Sequence, residues 1–412
     1  MTERVVVTGM GTVSPLGNDV ASTMTQIQAG EVGFAPITKF DATETGITLA
    51  GEVKDFDATK RLEKRTSKRM DLFSQYALYS AIEAAEQAGL TAKTVAPERL
   101  GVILGSGIGG LTTIEAQVTK MNAKGPQRVS PLFVPQSIVN MAAGNVALYF
   151  KAKNTCQAVV TACASGTNAI GNAFREIRAG RADMMITGGC EASVNQIGIA
   201  GFAALSALSA ATDPAVASIP FDEKRQGFVM GEGAGTLILE SLSHAQARGA
   251  KIYGEITGYG STCDAFHMTA PDPDGTQAAR AMALAVEEAG WQPDEVDYIN
   301  AHGTSTAAND SAEAQAIVAV FGNRPDLLVS STKSMTGHLL GAAGALEAVI
   351  TLAALTDHQL PVNVGVAQQD PACPVHLVNQ DNTASTATKA ISNSFGFGGH
   401  NAVLALQTWG EA

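Results

Sequence analysis

Gln157 to Gly180, QAVVTACASGTNAIGNAFREIRAG, holds a thiol where a nucleophile could be displayed. Ala158-Val159-Val160 is an apolar run of the kind a buried strand shows. Ile170, Phe174 and Ile177 then recur at one-face helical spacing before a C-terminal Gly180. Between them, Thr161-Ala162-Cys163-Ala164-Ser165-Gly166 is a sharp turn of small residues. A cysteine there lies at a helix N-terminus, where unpaired amides and the helix dipole favour a negative sulfur. The same amides can hold the oxyanion formed when that sulfur attacks a carbonyl. A buried, inert cysteine fits the same pattern, and this turn alone leaves both readings open.

Two histidines in the second half sit in comparable settings. His302 closes a β-rich run and opens the hydroxyl-bearing loop His302-Gly303-Thr304-Ser305-Thr306. His338 opens a segment of almost wholly small and apolar residues that reads as a helix. A helix N-terminus disfavours imidazolium, so His338 is expected to stay neutral and donate a hydrogen bond. Each histidine taken singly fits a structural role. Taken with Cys163, each at the edge of its own strand–helix unit, they fit one crevice, because strand C-terminal ends in open α/β sheets face a common cleft. Lys333 lies just before His338, and Glu347 is the only charge between Leu339 and Leu355. A carboxylate buried there needs a partner, and Lys333 is the nearest candidate. The pair either sets the field around His338 or is a structural ion pair only.

Strands alternating with helices must carry these groups. Arg4 to Thr8 is a β-rich run ending at Gly9-Met10-Gly11, and Met70 to Gly89 is a long helix with Ala77, Ala81, Ala84, Ala85 and Ala88 as its small face. Leu100 to Leu104 and Asp183 to Thr187 read as strands, and the glycine-rich Phe221 to Gly235 leads into another at Thr236 to Glu240. Near Lys251 the pattern begins again. Ile252 to Thr257 with Gly258-Tyr259-Gly260 echoes the opening run, and Val296 to Gly303 echoes Leu100 to Gly107. Val329 to Leu355 echoes the Cys163 unit. A duplicated α/β unit follows, with halves 1–250 and 251–412. Gly105 to Gly110 matches the dinucleotide pattern G-x-G-x-x-G, but no acidic residue ends a second strand about 20 residues on. A nicotinamide-dependent oxidoreductase would rest on that loop alone. In NSFGFGGHNAVLAL, 393–406, glycines flank Phe397. They let the backbone move and approach a ligand, or they mark a bulge or hairpin.

With 412 residues, 45% hydrophobic and 16% charged, the chain can bury the core of two domains or one large double domain. No apolar run approaches the roughly 20 residues of a membrane span. The start, MTERVVVTGMG, enters a strand without a signal-peptide layout. Five widely spaced cysteines give neither a disulfide framework nor a metal-binding pair, so a reducing cytoplasm is the expected compartment. A formal charge of −12 argues against nucleic acid as partner. Arg61, Lys64, Arg65, Lys68 and Arg69 nevertheless fall on one helical face. Such a face is either solvated or a dock for an acidic partner.

Four motifs in order, Thr161 to Gly166, Asn300 to Thr306, Lys333 to His338 and Asn393 to Gly399, resemble those of the β-ketoacyl-acyl carrier protein synthases. These are the condensing enzymes of dissociated (type II) fatty acid synthesis, and the resemblance runs from Arg4 to Leu406. It implies the thiolase fold: duplicated halves in a five-layered αβαβα sandwich, as a homodimer. It implies decarboxylative condensation of acyl- with malonyl-acyl carrier protein, no cofactor and no metal in the site. By resemblance Cys163 carries the acyl group, and His302 and His338, with Lys333 behind them, serve the malonyl step. Phe397 is then gate and oxyanion donor with the Cys163 amide, and Glu347 and Asp310 support the site. Thr304 and Thr306 would bind the pantetheine arm, and Ile108, Phe133 and Phe202 would line the acyl pocket. Arg65, Lys68, Arg69 and Arg128 match carrier-protein docking positions. Ile108 resembles the synthase II pattern, where synthase I tends to carry glycine. Ser206 replaces the arginine of well-known members, and His400 stands where others have threonine. A synthase I-like or polyketide-type ketosynthase is the near alternative; a non-catalytic chain-length subunit would usually lack the cysteine.

Overall fold

Apolar strands and small-residue helices build one series of elements twice in the computed structural model, which describes residues 2–410. The first series is β1 (Val5–Val13), α1 (Leu72–Gln87), β2 (Leu100–Gly105), α2 (Met141–Phe150), β3 (Cys156–Val159), α3 (Ser165–Arg178), β4 (Met184–Glu191) and β5 (Gly233–Ser241). The second is β6 (Gly254–Cys263), α4 (Thr276–Ala289), β7 (Tyr298–Asn300), α5 (Ala307–Phe321), β8 (Leu328–Ser330), α6 (Ala343–Asp357), β9 (Lys389–Gly396) and β10 (His400–Thr408). The strand orders agree: β3-β2-β4-β5-β1 in one half and β8-β7-β9-β10-β6 in the other. In both, the first two pairings are parallel and the last two antiparallel. β1 and β6 join the halves through Val5–Val7 and Gly254–Ile256.

α3 and α6 lie between the halves, each packed on strands of both. α1 covers β1, β5 and β4 from outside, and α4 covers β6, β10 and β9. The result is five layers, helix–sheet–helix–sheet–helix. α6 is apolar almost all round because it has a sheet on either side. Contrary to the expectation that no apolar run approaches a membrane span, Leu340–Asp357 is long and apolar enough to cross one. A core helix between two sheets passes the same test, and 89% of this segment is buried inside the fold.

The glycine pairs in β1 and β6 were expected to end those strands, and they do not. β1 continues through Gly9 and Gly11 to Val13, and β6 through Gly258 and Gly260 to Cys263. A Cβ on Gly9 or Gly11 would lie 2.0 Å from a carbonyl oxygen of α1 (Ala84 or Ser80). On Gly258 or Gly260 it would lie 2.1 or 1.9 Å from Ala285 or Ala281 of α4. The glycines let a helix backbone sit on the strand, and the same device appears in both halves.

Two other expectations change. β3 is an edge strand rather than a buried one, and Val160 just beyond it is 54% exposed. Arg61 does not share the exposed basic face: only Lys64–Ser67 is helical, and Arg61 turns inward to Glu83 at 3.2 Å and over the Tyr79 ring.

Candidate active site

The ends of β3, β7 and β8 and the β9–β10 hairpin converge on a cavity of about 310 Å³. Cys163, His302, His338, Thr304, Thr306, Phe202 and Phe397 all line it. The turn that presents Cys163 holds Ala162 at φ +50°, a left-handed conformation that costs a non-glycine residue on the order of 1 kcal/mol or more. Ser165 stabilises it, its hydroxyl donating to Ala162 O at 2.6 Å and accepting from Thr161 N at 2.9 Å. The β9–β10 hairpin closes directly onto this turn. A Cβ at Gly396 would lie 2.7 Å from Thr161 O and 3.1 Å from Cys163 N, so only glycine allows the approach. The amides of Phe397 and of Cys163 itself are thereby directed at the sulfur. Both readings of the glycines around Phe397 hold at once: they form a hairpin turn, and that turn sits on the nucleophile.

Burial pushes the Cys163 thiol up to about 12, against the pull of Lys333 and those two amides. A stabilised thiolate was expected from the helix terminus; in the resting site, removal from water outweighs the amides. Burial first, and then the charge of Lys333, hold both His302 and His338 well below the ordinary imidazole value, so both rings are neutral. Their centroids are 5.3 Å apart. The Leu340 amide donates to His338 Nδ1 at 3.3 Å, which assigns the ring proton to Nε2. The neutral donor inferred for His338 is kept, but for a different reason. His338 precedes a short 3-10 turn, Leu340–Ala342, rather than opening α6, so burial replaces the helix dipole as cause.

Behind the rings, Lys333 Nζ donates to His302 O at 2.6 Å and forms a short ion pair with Glu347. Both side chains are buried, and among the described residues Glu347 Oε2 has no partner. Asp310 accepts from Phe221 N at 3.0 Å and lies 3.5 Å from Arg225, away from the cavity. Ile108 does not line the cavity itself but packs on the apolar cluster beneath it that contains Cys163, Val194, Ile199, Phe228 and Leu340. Phe202 joins the same cluster and faces Phe397, ring centroids 6.2 Å apart.

Two family models divide the chain, Beta-ketoacyl synthase, N-terminal domain, over residues 2–245 and Beta-ketoacyl synthase, C-terminal domain, over 253–367. The chain is 48% identical over 409 residues to the 3-oxoacyl-[acyl-carrier-protein] synthase 2 of Synechocystis sp., covering 99% of this chain and 98% of that one. The chain belongs to the β-ketoacyl synthase family. Among solved structures, the ishigamide ketosynthase/chain length factor superposes with a TM-score of 0.93 at 36% identity, covering all of both chains. AntDE:AntF, a type II PKS acyl-carrier protein in complex with its ketosynthase bound to the hexaketide, superposes with 0.92 at 32% identity, again over both whole chains. The five layers are thus the thiolase-like arrangement of the ketosynthases.

Not every residue singled out in this β-ketoacyl synthase reaches the cavity. Phe133 starts a short surface helix, Phe133–Ser137, flanked by exposed Leu132, Val134 and Ile138, and lines neither the cavity nor the cluster under Cys163. Arg65, Lys68, Arg69 and Arg128 are exposed and, among the described residues, form no ion pair. Ser206 lies exposed on the cavity rim at φ +53°. His400 packs its ring against Gly398 of the hairpin. The loop Gly105–Gly110 offers no free cradle for a dinucleotide, because the Gly107 and Ile108 amides already donate to the buried carboxylate of Glu191.

Two carboxylates escaped sequence reasoning. Glu191 is one, and the other is Glu313 on α5, which accepts from His302 N at 2.8 Å and Gly303 N at 2.7 Å. Burial pushes each up to about 7. Glu191 carried the signal that pointed to Glu347, a lone acid in a stretch of small residues, whereas Glu313, three residues after Asp310 on the same helix, carried none.

Proposed function

We propose that this chain condenses acyl-acyl carrier protein with malonyl-acyl carrier protein to give 3-oxoacyl-acyl carrier protein and carbon dioxide, elongating chains in type II fatty acid synthesis. The observation that carries this reading is one cavity shared by a sulfur facing two backbone amides and two neutral imidazoles. In the first step the Cys163 sulfur attacks the acyl thioester, and its proton leaves on the departing pantetheine thiol. The acyl chain lies against Ile108 and Phe202, and Thr304 and Thr306 hold the pantetheine arm at the neck. In the second step carbon dioxide departs from the malonyl group, and His302 and His338 donate to the enolate oxygen. The resulting carbon nucleophile attacks the Cys163 thioester, and the oxyanion rests on the Cys163 and Phe397 amides until the carbon–sulfur bond breaks. Phe397, between its glycines, gates malonyl entry. Burial, and after it the charge of Lys333, keeps the imidazoles neutral, Glu347 holds Lys333 in place, and Asp310 braces the loop after β7.

Exposed Arg65, Lys68, Arg69 and Arg128 suit an acidic carrier protein, although Ser206 adds no charge at the rim. The edge strand β3, exposed Val160 and the apolar surface around Phe133 and Leu148 support a homodimer through that face. Unbridged cysteines support a cytoplasmic setting. The agreement of strand orders supports halves 1–250 and 251–412. The test is an elongation assay across acyl lengths with malonyl-carrier protein. Long-chain 3-oxoacyl product is expected; activity confined to short acyl groups would favour the synthase I-like or polyketide-type reading that the ketosynthase superpositions keep in view.

A further inference from the structure

One carboxylate outside the cavity joins its two sides. Glu191 ends β4, is fully buried, and among the described residues pairs with no cation. Its Oε2 accepts from Gly107 N at 2.7 Å and from Gly341 N at 3.1 Å. Its Oε1 accepts from Ile108 N at 3.3 Å and from the hydroxyls of Ser193 at 3.2 Å and Ser106 at 3.4 Å. The segments so joined serve different sides of the site. Residues 107–108 carry Ile108 against the apolar cluster under Cys163, whereas Gly341 follows Leu340, whose amide holds His338 Nδ1. There is no slack at the crossing. A Cβ on Gly341 would lie 2.2 Å from Gly107 N, and a Cβ on either glycine 2.8 Å from Glu191 Oε2. An anion buried without a counter-ion is costly, and here it is compensated only by donors that must stay where they are.

We propose that Glu191 is a positioning residue that locks the Ile108 wall of the acyl pocket to the segment carrying His338, so that one carboxylate sets both the fit of the acyl chain and the placement of the imidazole. This rests on the condensation reading above. Glutamine keeps the length of the side chain but offers only one accepting oxygen, so at least one of the three amides loses its acceptor. The effect of one lost hydrogen bond to a charged group is roughly tenfold.

The test compares wild type, Glu191→Gln, Ile108→Ala and the double variant. Acyl transfer to Cys163 is followed by intact mass with carrier proteins bearing short to long acyl chains, and decarboxylation of malonyl-carrier protein is followed separately. Glu191→Gln is expected to lose roughly tenfold in long-chain transfer, much less with short chains, and roughly tenfold in decarboxylation. Its transfer defect should not add to that of Ile108→Ala, because both act on one wall. Equal loss at every chain length, or additive losses, would overturn the proposal and leave a structural carboxylate. Should Glu191→Gln not fold, Ser193→Ala removes one donor and leaves every amide; it should show the same length bias, smaller, and its absence would overturn the proposal too. Wild type that takes up no acyl group defeats the condensation reading itself, and the Glu191 role with it.

Discussion

Replacing Lys333 with methionine removes the cation from beneath both imidazoles and isolates Glu347. The ion pair is buried on both sides, so the single variant leaves an uncompensated carboxylate among apolar neighbours. Breaking such a pair costs about 3–5 kcal/mol, and the lost donor to His302 O adds about 1 kcal/mol. The double variant Lys333→Met/Glu347→Leu removes both charges and should recover most of that stability, since apolar replacement of a buried pair is often neutral. Catalysis should separate from stability. Lys333 is the second cause, after burial, of the low His302 and His338 values, so both variants should let the imidazoles take up protons more readily.

A histidine depressed in the fold contributes stability that is present above the unfolded value near 6.5 and lost as pH falls toward the folded value. Raising the folded value shrinks that loss. Glu347, which burial already holds above the usual carboxylate range, takes up a proton more readily once Lys333 is gone. Lys333→Met alone should therefore lose less stability than wild type between pH 6.5 and 4.5. Its malonyl decarboxylation should fall on the acid side, where neutral donors become imidazolium. The assays are thermal unfolding across pH and decarboxylation of malonyl-carrier protein across the same range. A double variant as unstable as the single one would refute the account of the ion pair. Lys333→Met with the wild-type pH profile would refute the electrostatic role of Lys333.

Other expectations follow from the same geometry. Because burial dominates at Cys163, its alkylation by iodoacetamide should rise roughly tenfold per pH unit from 7 to 10 without levelling; a plateau below pH 9 would mean that the amides win. Gly396→Ala places a Cβ 2.7 Å from Thr161 O, so the hairpin must lift off the nucleophile. Acyl transfer should drop about a hundredfold, as for loss of one oxyanion donor, with little change in melting temperature; transfer within a few-fold of wild type would put the Phe397 amide outside the chemistry.

Much of this arrangement was legible because the chemistry needs rare residues in small-residue surroundings. Cys163 stands between a strand and a helix with no bulky neighbour, and Glu347 is alone in an apolar helix, which is why each drew attention to itself and to a partner. The repeated Gly-x-Gly pairs at 9–11 and 258–260 disclosed the duplication, although they were misread as strand ends. A glycine that admits a helix backbone onto a sheet looks, along the sequence, like one that makes a turn. Glu191 and Glu313 stayed hidden because most of their partners are backbone amides brought together only by folding, and an amide has no letter in the sequence. The thiol was misjudged for a related reason: the helix terminus can be read locally, but the depth of burial that opposes it cannot. Val160 and the residues beside Phe133, Leu132 and Val134, are left exposed among the described residues, which an apolar run in the sequence does not disclose.

The most direct measurement is the intact mass of the protein after mixing with acyl-carrier protein. A gain equal to the acyl group, discharged on adding malonyl-carrier protein and absent from Cys163→Ala, is what the site predicts. A gain that persists in Cys163→Ala, or none in the wild type, would contradict it.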